Sequence, residues 1–101
     1  MSQIQIAVHM KEIEEFCVRW RIHELSLFGS VLRDDFRPDS DVDILVSFDV
    51  AAEYGLWDLS TMKDELEALF HRKVDLVEKE ALHNPFRRRS ILASREIIYA
   101  A

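Results

Sequence analysis

Hydrophobic residues in this chain switch repeatedly between a helical and a strand-like period, and that alternation restricts the fold to a mixed α/β class. Over about 4–22, Ile6, Met10, Ile13, Phe16, Cys17 and Trp20 recur at spacings of three and four, with charged residues between them, which predicts an amphipathic helix. Residues 24–28 are a short Leu- and Phe-rich run that stops at Gly29-Ser30, as a strand breaking into a turn would. Ser30 suits the N-cap of a short helix over 31–35. Arg37-Pro38-Asp39-Ser40 is turn chemistry, and residues 41–48 then alternate, with Val42, Ile44, Val46 and Phe48 on one face and Asp41, Asp43, Leu45 and Ser47 on the other. A second helix is predicted over 55–71, a strand over 73–78, a helix opened by Pro85 to about 94, and an edge strand over 96–99. The expected architecture is a small mixed sheet of three or four strands with helices mainly on one face.

Composition supports one domain over 1–101: 49% of the residues are hydrophobic and only two Gly and two Pro occur. A chain of this size buries somewhat over ~60% of its unfolded surface, enough for one core. With 13 Lys+Arg against 19 Asp+Glu the net charge is -6, so the chain lacks the positive field that holds polynucleotides, and no stable nucleic-acid partner is expected. Cys17 is the sole thiol, and the first residues lack the basic-then-apolar pattern of a secretory signal. The expectation is a reducing, cytoplasmic setting without membrane insertion, since the apolar runs are far below the ~20 residues that span a bilayer.

Chemistry concentrates in Gly29-Ser30, ten residues, Asp41-Val42-Asp43, and a later strand carboxylate at Asp75. Asp41 and Asp43, two apart on one strand, leave the same face with Cα atoms about 6.5–7 Å apart. Such a pair can grip one hard cation, and Mg²⁺ favours a few carboxylates completed by water and phosphate. If Asp75 stands on a neighbouring strand with the same orientation, the three can hold one or two ions for in-line phosphoryl transfer. A glycine lets backbone amides approach a triphosphate, the Ser30 hydroxyl can donate to it, and a helix starting there would add its dipole. Arg33 lies one turn on and can reach the phosphates. Ser40 is a further nucleotide-binding candidate, although with Asp39 it more readily builds the turn.

The segments Phe28-Gly29-Ser30-Val31-Leu32-Arg33 and Arg37-Pro38-Asp39-Ser40-Asp41-Val42-Asp43-Ile44-Leu45-Val46 resemble the glycine-serine, ten-residue, Asp-x-Asp signature of DNA polymerase β-like nucleotidyltransferases. Over nearly its whole length the chain is similar to the minimal nucleotidyltransferases that act as antitoxins beside HEPN-domain toxins. That resemblance implies Mg²⁺-dependent transfer of AMP from ATP to a tyrosine hydroxyl of the toxin, with Asp41, Asp43 and Asp75 as catalytic metal ligands. It also implies a hetero-oligomer with the toxin or a homo-oligomer. The alternatives are an antitoxin that neutralises by occlusion alone and, as a minor one, an RNA nucleotidyltransferase. Asp34 departs from the glycine frequent at that position in the family, which puts the loop shape in question.

Other groups read more plainly. His9, His23, His71 and His83 lack metal-ligand spacing. Trp20, Trp57 and Phe70 sit at core spacing, and Cys17 reads as a small buried hydrophobe. Arg87, Arg88 and Arg89 on the last helix read as a solvated face or partner contact before a phosphate contact.

Overall fold

The computed structural model describes residues 4–101. In chain order it contains α1 (Met10–Arg19), β1 (Ile22–Phe28), a single 3₁₀ turn (Gly29–Leu32), β2 (Val42–Phe48), α2 (Leu56–Phe70), β3 (Val74–Glu78), a second 3₁₀ turn (Lys79–Ala81), α3 (Pro85–Ser94) and β4 (Glu96–Ala100). The strands form one mixed sheet in the order β3-β2-β1-β4. β1 is antiparallel to both β2 and β4, whereas β2 and β3 are parallel and joined through α2, as a parallel pair requires.

The alternation read from the sequence decides the layers. Val42, Ile44 and Val46 of β2 and Leu25 and Leu27 of β1 are buried against Ile13, Phe16 and Cys17 of α1 and Met62, Leu66 and Phe70 of α2. α1 and α2 therefore share one face, and a large-to-small change such as Leu66→Ala there would cost about 2–5 kcal/mol. The Cys17 thiol is pushed up to about 12 by burial and by the nearby Glu14 charge, so it stays protonated and unreactive. Leu45 and Phe28, one residue out of phase, point to the other face and meet Leu82 and Ile91 of α3. α3 starts cleanly because the Asn84 side chain accepts hydrogen bonds from the amides of Phe86 and Arg87, with Pro85 in the first turn.

Three expectations need correction. The first helix begins at Met10, not near residue 4. Residues 4–9 lie outside any helix, with the Gln5 amide bonded to the Val31 carbonyl at 2.9 Å. Ile4, Ile6 and Val8 pack on the core at a period of two that the spacing to Met10 disguised. Trp57 is not a core residue: it and Leu56 are 88% and 84% exposed. α2 has 15 residues and β3 five, so at ~1.5 Å and ~3.3 Å per residue the first helical turn overhangs the sheet. No helix forms over 31–35, because the turn ends at Leu32 and Arg33 is extended (φ -120°, ψ 160°). Among the described residues no helix is long and apolar enough to cross a membrane.

Candidate functional site

On the face that carries α3, the register sets Asp43 of β2 beside Phe28 of β1 on one side and Asp75 of β3 on the other. Paired residues of neighbouring strands project to the same face, so Asp43 and Asp75 stand side by side about 4.8 Å apart along the sheet. Asp41, exposed, lies just before β2 begins at Val42, whose amide donates to the Lys73 carbonyl at 2.9 Å. The chain thus brings its three carboxylates to one end of the parallel β2–β3 pair.

Gly29 abuts this group. Its φ is +77°, and a Cβ built there would stand 2.2 Å from Asp43 Oδ2. The glycine is required by the left-handed backbone, and its bare Cα leaves the space into which the Asp43 carboxylate turns. Half-buried Asp43 has its carboxyl held above the ordinary aspartate range, first by burial, then by the charges of Asp75 and Asp41; Arg33 and Arg87 oppose the shift. Among the described residues no three Asp, Glu, His or Cys side chains converge into a ready-made metal cluster. The Asp43 carboxylate is turned back toward Gly29. The donor set itself, three carboxylates of which those of Asp41 and Asp75 are exposed to solvent, suits a hard divalent cation.

The turn around Ser30 differs from the expected helix start. Ser30 is half-buried and its hydroxyl has no partner among the described residues, but no side-chain cap forms, and a four-residue 3₁₀ turn has little dipole to offer. Arg33 is exposed and pairs with Asp35 at 3.1 Å. Asp34 adopts no left-handed conformation, so its departure from glycine strains nothing. Ser40 is a turn builder here: its Oγ accepts from the Arg37 amide at 3.0 Å.

One positioning residue escaped the sequence reading. Arg72, just past α2, donates through Nη1 to the carbonyls of Arg37 (2.9 Å) and Ser40 (3.0 Å) and lies 4.3 Å over the Phe36 ring. It pins the turn that delivers Asp41. Nothing in the local sequence signals this, because the partners are more than thirty positions away.

Comparison with known proteins follows the same outline. The family model described as "Nucleotidyltransferase domain" matches residues 10–98. The protein adenylyltransferase MntA of Thermococcus cleftensis is 35% identical over 94 residues, covering 93% of this chain and 87% of its own. A solved structure described as a candidate minimal nucleotidyltransferase shares 32% identity with a TM-score of 0.71 and covers 86% of each chain. A complex of a tri-AMPylated HEPN toxin from Shewanella oneidensis with its MNT antitoxin is similar in fold alone, at 17% identity and a TM-score of 0.66 over 91% of this chain and 70% of that one.

Proposed function

The chain belongs to the nucleotidyltransferase domain family, and from that premise we propose that it transfers AMP from ATP to a tyrosine hydroxyl of a partner HEPN-type toxin, acting as the antitoxin. The observation that carries the reading is the juxtaposition of the Gly29-Ser30 turn with the paired Asp43 and Asp75 and the preceding Asp41. The relatives supply the acceptor class: one is named a protein adenylyltransferase, and a structure of the same fold holds an AMPylated HEPN toxin. In this reading residues 1–101 are one nucleotidyltransferase domain, supported by a family match over 10–98. A cytoplasmic setting is supported by the single, buried thiol, and the assembly is a hetero-oligomer with the toxin.

The family uses a divalent cation, and in this reading it is Mg²⁺, which Asp41, Asp43 and Asp75 would hold. When bound it offsets charge on the triphosphate and lowers the pKa of the attacking hydroxyl. The protein's own groups do the rest. Ser30 donates its hydroxyl to a phosphate oxygen, and Gly29 lets the backbone come close. Arg33 exchanges its exposed pairing with Asp35 for phosphate. The Ser40 carbonyl and hydroxyl stay in the turn and keep Asp41 placed. The acceptor oxygen bonds to the α-phosphorus, the bond to the bridging oxygen breaks, pyrophosphate leaves, and the hydroxyl proton passes to solvent.

Intact-mass spectrometry of a HEPN-type partner incubated with this protein, ATP and Mg²⁺ tests the reading. The expected result is added AMP with the wild type and none with Asp43→Asn. An unchanged partner mass, with neutralisation retained when Asp41, Asp43 and Asp75 are all replaced, would establish occlusion instead. Label transferred to RNA would show the acceptor to be wrong.

A further inference from the structure

β3 is the outermost strand on the side of the sheet that carries Asp75, and β2 pairs with its inner flank only. The Lys73 carbonyl accepts from the Val42 amide, so along the parallel ladder the backbone groups of Asp75 and Val77 face β2 and those of Val74 and Leu76 face away. The outward row is blunted at its start, where the Val74 amide donates to Glu67 Oε2 at 2.9 Å. The Leu76 amide and carbonyl come next in that row and have no partner among the described residues. Beside them α2 and β3 leave a groove of about 300 Å³, lined by Leu59, Ser60 and Lys63 of the helix and by Asp75, Leu76 and Glu78 of the strand. A second hollow of about 320 Å³ shares Glu78 and runs on past Asp49, exposed Val50 and Glu80. The two meet at Glu78 and form one track that starts at a carboxylate of the site. Asp49, Glu78 and Glu80, at its far end, take part in no ion pair among the described residues.

We propose that this track binds the acceptor: an extended segment of the partner protein adds a fifth strand to the sheet beside β3 and sets its reacting tyrosine opposite Asp75. The inference rests on the nucleotidyl-transfer reading above and adds to it the surface that delivers the hydroxyl. Residues paired across neighbouring strands project to the same face, about 4.8 Å apart. The side chain opposite Asp75 therefore stands on the carboxylate face, while the residues before and after it turn to the α2 side, over Leu59 and Leu76. One register thus separates the group that reacts from the groups that hold it. The Leu76 amide and carbonyl supply main-chain hydrogen bonds, and the apolar floor of the groove takes the flanking side chains. The unmatched carboxylates of Asp49, Glu78 and Glu80 select a segment that is basic away from its tyrosine, and they repel a phosphate backbone. The occupant is accordingly a tyrosine-bearing, apolar and basic stretch of polypeptide, and not RNA.

Amide hydrogen exchange of the isotopically labelled chain, read by NMR with and without a HEPN-type partner, tests the pairing, and transfer kinetics test its use. Exchange at Leu76 should slow by about tenfold or more when the partner is added. Ser60→Trp places a bulky ring in the groove from an exposed helix position and should lower kcat/KM for adenylylation of the partner by about tenfold or more. ATP affinity by calorimetry should be unchanged in that variant. Thr61→Trp, exposed and beside the groove but not lining it, should stay within about twofold of wild type in both measurements. Adenylylation by the wild type without slowing at Leu76, or at the same rate by Ser60→Trp, would overturn the docking inference and leave the transfer reading standing. Slowing at Leu76 in the concentrated chain alone would assign the edge to a second copy and overturn it likewise. A partner left unmodified by the wild type would overturn the nucleotidyl-transfer reading itself, and the inference with it.

Discussion

Asp43 is a residue whose ionised form the surrounding fold disfavours. Its carboxyl is raised above the ordinary aspartate value of 3.8, so the folded chain holds that proton more tightly than the unfolded chain does. Stability from this group is present below the ordinary range and is lost as pH rises through the raised value. Asn cannot ionise, so Asp43→Asn should be more stable than wild type at neutral pH without divalent ions, and the advantage should vanish as pH falls below about 4. Urea midpoints of both proteins across pH in EDTA measure the difference, and a wild type more stable at pH 7 would contradict the account. Gly29 poses the complementary question. Rotation of Asp43 can relieve the 2.2 Å approach, but the φ of +77° cannot be relieved, so Gly29→Ala should cost about 1–2 kcal/mol. The cost should be smaller in an Asp43→Ala background, and equal costs in both backgrounds would show that the carboxylate contact has no energetic weight.

At the scale of elements, α2 ends in a way that leaves room for improvement. Its C-cap His71 sits in the left-handed region at φ 56°, ψ 37°. A Cβ there costs about 1–2 kcal/mol, of which the greater unfolded-state freedom of glycine returns part. His71→Gly should therefore raise stability by about 0.5–1 kcal/mol in denaturant unfolding. The neighbouring Arg72 should behave oppositely. Arg72→Ala removes two carbonyl hydrogen bonds and the stacking on Phe36, costing about 2 kcal/mol. It should also weaken divalent-ion binding, read as a smaller thermal shift on adding Mg²⁺, because Ser40 directly precedes Asp41. Periodicity made most elements legible in advance. α3 runs to Ser94, and β4 is an outermost strand as its β-branched run suggested. Reading failed where two periods coincide, at Ile6 and Met10, and where a helix outlasts its sheet, at Trp57. In the site, the carboxylate positions were legible because strand period fixes their face. The turn of Asp43 toward Gly29 and the grip of Arg72 were not, since each depends on packing between distant segments.

For the whole molecule, the net charge of -6 should decide between acceptors. A polynucleotide-tracking surface gives affinity that falls steeply with salt, and here Arg87, Arg88 and Arg89 are the only run of consecutive basic residues beyond an Arg-Lys pair. Since Arg88 donates to the Lys79 carbonyl, binding of single-stranded RNA in a mobility-shift assay should be weak at physiological salt; tight binding with a steep salt slope would favour an RNA acceptor. The sheet order has a consequence of another kind. β1 lies between β2 and β4, and Leu25 pairs with Tyr99, roughly seventy residues later. On the ribosome, at about 5–20 residues per second, the outer flank of β1 therefore waits several seconds for its partner strand. During that interval Leu25 to Phe28 present an open apolar edge to every other nascent chain nearby, which makes the moment of synthesis, more than the finished fold, the time at which this protein is most exposed to misassembly.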